Sequence, residues 1–146
     1  MPLIDIHHVA VKCADVEASE HFYTRVLGMH KVDRPDFDFP GAWLQMGGTM
    51  FHLMGGYAAE DANGEFPPGS ASVDHIALHA QDFDAMKQCM IDNGLDWKEN
   101  DLPDFGIWQL FVRDPSEIVI EMNFKVASEP AGAVGPENKT LSKVGG

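Results

Sequence analysis

Four side chains of this 146-residue chain have the types and places to hold a metal: His8, His52, His75 and Glu121. Three imidazoles and one carboxylate suit a borderline divalent ion such as Zn, Ni, Fe, Co or Mn. Hard calcium or magnesium would want more oxygen. A lone strand histidine is ordinarily a satisfied or half-exposed residue. These four differ because they fall at matched places of a duplicated plan.

The duplication is visible in two segments. Residues 6–15 read IHHVAVKCAD and residues 73–82 read VDHIALHAQD. Set over one another, they share His, Ala and Asp at 8/75, 10/77 and 15/82, and exchange Ile6 for Val73, Val9 for Ile76 and Val11 for Leu78. Self-similarity at a fixed offset signals a repeated supersecondary unit. Each segment leads into a helical pattern that an aspartate opens as N-cap (Asp15, Asp82) and a glycine closes (Gly28, Gly94). Alternation and β-branched content predict strands over 3–13 and 73–80. Shorter strands are expected at 29–34, 42–46 and 49–54, and again at 95–99, 107–113 and 118–124. The stretch PDFDFPG, the pair Gly47-Gly48 and the run Asp114-Pro115-Ser116-Glu117 supply turns. The plan is two strand–helix–strand–strand–strand units, about 1–55 and 72–125, with a Gly-, Ala- and Pro-rich joint over 55–72. A tail, 126–146, has little to form a core and is expected to be loose or to lie along its own sheet or a neighbouring subunit.

Strand parity assigns the faces. Val9, Val11, Ile76 and Leu78 should pack on the helices, which turns His8 and His75 to the other side, where Ala10 and Ala77 leave room. In the last strand of each unit Phe51, Leu53, Ile120 and Met122 face the helices, and His52 and Glu121 face away. If the units pair about a pseudo-twofold axis, all four donors converge. His52 is also suited to stand beside the metal as an acid–base group. His7 is assigned to the helix side, His21 and His30 to a helix and its exit, and His79 to the far end of the donor face.

Composition narrows the function classes. With 10 basic and 23 acidic residues the net charge is −13, which repels phosphate backbones and anionic lipid, so neither nucleic acid nor a membrane surface is an expected partner. No apolar run reaches the roughly 18 residues of a membrane span, and the N-terminus lacks a signal-peptide pattern. Cys13 and Cys89 are too few for a disulfide framework and sit among apolar neighbours. A reduced, cytoplasmic protein acting on a small-molecule substrate, as a homodimer, is expected.

The motifs HHVAVKCADVEASEHFYTRVLGM, VDHIALHAQD and FVRDPSEIVIEM together resemble the vicinal oxygen chelate superfamily, which holds glyoxalases, bleomycin-resistance proteins and extradiol dioxygenases; the resemblance spans about residues 3–124. It implies an α+β fold of two paired βαβββ modules, an eight-stranded cup-shaped mixed sheet with helices outside, and a metal at its centre. The pattern is closest to glyoxalase I-like proteins, whose ligands, carried over, fall on His8, His52, His75 and Glu121. The second position departs, with His where Glu is usual, and Glu117 stands where the family often has Gly.

The implied chemistry is a glyoxalase-like lyase or isomerase reaction. A small α-oxo or α-hydroxycarbonyl compound would lose a proton to give a metal-stabilised enediolate, with Glu121 or His52 moving the proton. Arg34 and Gln109 would orient an anionic end, and Phe39, Trp43, Phe105 and Trp108 would wall the cup. The resemblance admits alternatives. One is Fe(II) extradiol cleavage of a catechol by His8, His75 and Glu121, with His52 as acid–base group; epimerisation beside a thioester carbonyl is another. The third is a drug-sequestering binding protein without a metal, against which a complete donor set argues.

Overall fold

Alternating side chains along a short first strand organise each half of the molecule. The computed structural model describes residues 2–137. In β1 (His8–Lys12), Val11 is buried and Val9 half-buried, while His8, Ala10 and Lys12 lie on the open side. Asp15 then caps α1 (Val16–His21) by accepting from the Ala18 backbone N–H at 3.0 Å. The helix runs on as a π turn over Phe22–Val26, which buries Phe22, Tyr23 and Val26, and Gly28 ends it at φ +82°. Strands β2 (His30–Val32), β3 (Gly41–Met46) and β4 (Thr49–Met54) follow.

The second half repeats the plan with β5 (Ile76–Ala80), α2 (Phe83–Asp92), β6 (Trp97–Leu102), β7 (Ile107–Arg113) and β8 (Val119–Lys125). Two mixed four-stranded sheets result, ordered β1-β4-β3-β2 and β5-β8-β7-β6. In each the first strand is parallel to the last and the other pairs are antiparallel. This is the α+β architecture of paired βαβββ modules. The chain divides into two compact units between Pro68 and Gly69, inside the joint expected over 55–72.

The first strands begin later than their sequence pattern suggests, at His8 rather than 3 and at Ile76 rather than 73. Their partners explain this. β4 starts at Thr49, so β1 is paired only from His8↔Met50, and β5 only from Ile76↔Ile120. β6 runs on to Leu102 because β7 matches it from Val112 back to Ile107.

Each unit has its own core. Tyr23, Leu44, Phe51 and Leu53 are fully buried in the first, and Phe83, Met90, Leu110, Ile120, Met122 and Phe124 in the second. Each such side chain contributes on the order of 1.5–3 kcal/mol of transfer free energy. Cys13 is buried and Cys89 half-buried, and neither forms a disulfide. Among the described residues no helix is long and apolar enough to cross a membrane.

The segment after β8 is not loose over its described part. The Glu129 carboxylate accepts from the backbone N–H groups of Asp82 and Phe83 at the start of α2. Asp84 accepts from Val134 and Gly135, and Gly135 lies so close to the Trp108 ring that a Cβ there would sit 2.6 Å from it. Polar caps and one glycine dock this stretch, where apolar patterning foretold nothing. The rest of the expected tail, 138–146, lies outside the described residues.

Candidate functional site

Sheet register places the donors in pairs. In the first unit Ala10 of β1 lies opposite His52 of β4, which lies opposite Trp43 of β3. His8, two residues before Ala10, shares their face. The His8 and His52 rings stack with centroids 4.1 Å apart, and His52 stacks on Trp43 at 4.2 Å and 4°. His52 is thus held between an imidazole and an indole. Its Nε2 is buried and has no hydrogen-bond partner among the described residues. Burial first, then the neighbouring His8 and His7, push its pKa below the ordinary histidine value, which keeps the ring neutral and its lone pair available.

The second unit repeats this register with a different donor. Ala77 of β5 lies opposite Glu121 of β8, and Glu121 opposite Phe111 of β7. His75 stands just ahead of β5. Its Nδ1–H donates to the Asp74 carboxylate at 2.7 Å, and its Nε2 faces Glu121 Oε1 at 3.5 Å. The other carboxylate oxygen, Oε2, accepts from Asn123 Nδ2 at 2.7 Å. Asn123 Oδ1 accepts from Gln109 Nε2 at 2.9 Å, and Gln109 Oε1 from Asn100 Nδ2 at 3.2 Å. A file of amides across three strands therefore ends on Glu121.

The donor chemistry fits a divalent metal. With Nδ1 on Asp74, His75 directs Nε2 at a carboxylate oxygen, a place that a proton or a metal ion can bridge. Their 3.5 Å separation is close to what two donors at about 2.0–2.2 Å from one ion span. The Asp74–His75 hydrogen bond is the carboxylate partner that usually orients a metal-ligating imidazole. His8 is anchored likewise, its Nδ1 lying 2.8 Å from Nδ1 of His7, which leaves Nε2. Among the described residues no three His, Cys, Asp or Glu gather as one metal-holding group.

The residues expected to contact substrate divide. Arg34, Phe39 and Trp43 line one cavity of about 180 Å³ with His8, His52 and Phe37, so these positions stand together. Gln109 reaches Glu121 through Asn123. Trp108 does not join them. It lies opposite Phe124 and packs edge-on against Phe83 of α2, with ring centroids 5.4 Å apart. Because Phe111 is the residue opposite Glu121, only odd-numbered positions of β7 share its face, and Trp108 falls on the helix side. Phe105 is 76% exposed in a short turn before β7. His7 is not on the helix side, because strand parity does not reach back past His8; its ring sits beside His8.

Sequence reasoning passed over Asn123, Asn100, Phe111 and Asp74. Parity alone would have pointed to Asn123, two residues beyond Glu121 on the same face. Asn100 and Phe111 needed the cross-strand register.

Comparison with known proteins agrees with this fold. The family described as the glyoxalase/bleomycin resistance protein/dioxygenase superfamily matches residues 5–122. A curated relative, Glyoxylase I 4 of Arabidopsis thaliana, is 30% identical over 126 residues, covering 82% of this chain and 70% of the relative. Among solved structures, a glyoxalase/dioxygenase from Nostoc punctiforme superposes with TM-score 0.68 at 20% identity, over 85% of this chain and 92% of that one. Lactoylglutathione lyase from Agrobacterium tumefaciens gives 0.65 at 21% identity, over 88% and 98%. At these identities the structures speak for the fold alone.

Proposed function

Because the chain belongs to the glyoxalase/bleomycin resistance protein/dioxygenase superfamily, we propose that His8, His52, His75 and Glu121 hold one divalent transition metal in a glyoxalase-like lyase or isomerase. Its substrate would be a small α-oxo or α-hydroxycarbonyl compound. The observation that carries this reading is the shared register: in both units a histidine precedes an alanine whose cross-strand partner is the second donor. The metal would supply Lewis-acid stabilisation of negative charge developing on a substrate oxygen.

The chain's own residues would do the rest. Glu121, with Oε2 held by Asn123, would have Oε1 for a proton taken from carbon and returned to its neighbour once that oxygen is released from the metal. His52, kept neutral, is the second group able to move a proton. Arg34, Phe39 and Trp43 would bind and orient the substrate beside His8 and His52. The exposed Leu3, Ile4 and Ile6 ahead of β1 are apolar side chains suited to a homodimer contact.

One observation favours a second reading. Two imidazoles stacked at 17° confine their lone pairs to nearly parallel planes, so His8 and His52 cannot aim at one ion without splaying apart. In this reading His8, His75 and Glu121 form a two-histidine, one-carboxylate triad for Fe(II), and His52 serves as acid–base group in extradiol cleavage. The experiment is metal analysis of purified protein, followed by two assays: absorbance change with methylglyoxal and thiols, and oxygen uptake with a catechol panel. Iron-dependent oxygen uptake selects the second reading. Undiminished metal binding by His75→Ala and Glu121→Ala proteins overturns both.

A further inference from the structure

The cavity beside His8 and His52 contains a cation that no carboxylate of the described residues answers. Arg34 is half-buried, and its guanidinium lies 5.0 Å from the ring centroids of both Phe37 and Phe39. Nη2 donates to the Phe39 carbonyl at 2.8 Å. Gly41 makes space for it, since a Cβ at that position would come 2.9 Å from Nη2. Asp33, Asp36 and Asp38 flank Arg34 in sequence, yet among the described residues none pairs with it, and Asp38 accepts from the Tyr57 hydroxyl instead. In a chain of net charge −13, an arginine placed this way keeps its planar fork of N–H donors for a ligand.

Size and wall chemistry narrow that ligand. The cavity measures about 180 Å³, and an apolar cavity of roughly 150 Å³ holds benzene. Its walls include the rings of Phe37, Phe39, Trp43 and His52. We propose that this pocket selects a small planar monocarboxylate of about benzoate size, its carboxylate on Arg34 and its body against the aromatic walls, with the far end toward His8 and His52. The proposal rests on the functional reading above and names its substrate class.

The test uses chelator-stripped full-length protein, so it stands apart from the metal. Benzoate and its neutral isostere benzamide are titrated by calorimetry and by amide-resolved NMR, on the parent and on Arg34→Gln, with circular dichroism as a fold control. Benzoate should bind at least about tenfold tighter than benzamide, as loss of a charge-assisted contact predicts. Arg34→Gln should erase that preference, and the shifted amides should cluster around Trp43 and Phe39. Equal affinity for the two ligands overturns the proposal without any variant. So does absence of saturable benzoate binding, or a well-folded Arg34→Gln protein that still prefers benzoate. A parallel zinc titration reports on the metal reading separately.

Discussion

His52 and Glu121 occupy one and the same register position in two sheets, each opposite the alanine that lies two residues past a histidine. The fold repeats the geometry while the residue type changes from imidazole to carboxylate. The first unit therefore carries a stacked imidazole pair, and the second an imidazole–carboxylate pair in which Asp74 holds His75 and Asn123 holds Glu121. Predictions follow from that asymmetry.

If the pairs serve one metal, zinc at about 100 times its dissociation constant should stabilise the protein by about 2.7 kcal/mol through mass action. His75→Ala and Glu121→Ala should lose that gain, with affinity down by more than about 100-fold, beyond the roughly 10–100-fold cost of removing an outer partner. Calorimetry on stripped protein, with thermal melts with and without zinc, measures both. Retained zinc stabilisation in either variant would refute the assignment.

Asn123→Leu should weaken metal binding by about 10–100-fold, because Glu121 Oε2 loses the N–H that fixes its carboxylate. Gln109→Leu, one bond further along the amide file, should do the same more weakly. Asn123→Asp sets a second carboxylate against Glu121, so metal affinity should acquire a steeper pH dependence. Variants that bind metal like the parent across pH would show the amides to be structural only.

In metal-free protein His52 should titrate below the ordinary histidine value of about 6.5, because burial and the charge of His8 and His7 oppose its protonation. The linkage has a definite sign. The unfolded chain binds this proton more readily, so the contribution to stability is complete above the unfolded value and is lost as pH falls through the folded one. NMR of the imidazole carbons gives the midpoint. His8→Gln should raise it toward the ordinary value.

Glu117 sits at φ 66°, a left-handed conformation that costs a non-glycine residue on the order of 1 kcal/mol. The turn is otherwise well bonded, with the Asp114 carboxylate accepting from the Ser116 and Ile118 N–H groups at 2.8 Å each. Glu117→Gly should stabilise the protein by about 0.5–1 kcal/mol, a rise in melting temperature of about 1–4 °C. A melting temperature that falls would mean the Glu117 side chain contributes more than its backbone costs.

The repeat of His, Ala and Asp at 8/75, 10/77 and 15/82 and the alternation of apolar residues were enough to read two βαβββ units, and the matched strand positions of His52 and Glu121, from the chain alone. Local rules govern those features: side-chain period along a strand, a capping aspartate, a glycine that ends a helix. Which residues stand around the donors was decided between strands. Register set Phe111, not Trp108, opposite Glu121, and joined Asn100, Gln109 and Asn123 into one file. It also stacked His52 between His8 and Trp43. Register depends on which strands pair and where each begins, and turn and partner lengths set that rather than any one segment's pattern.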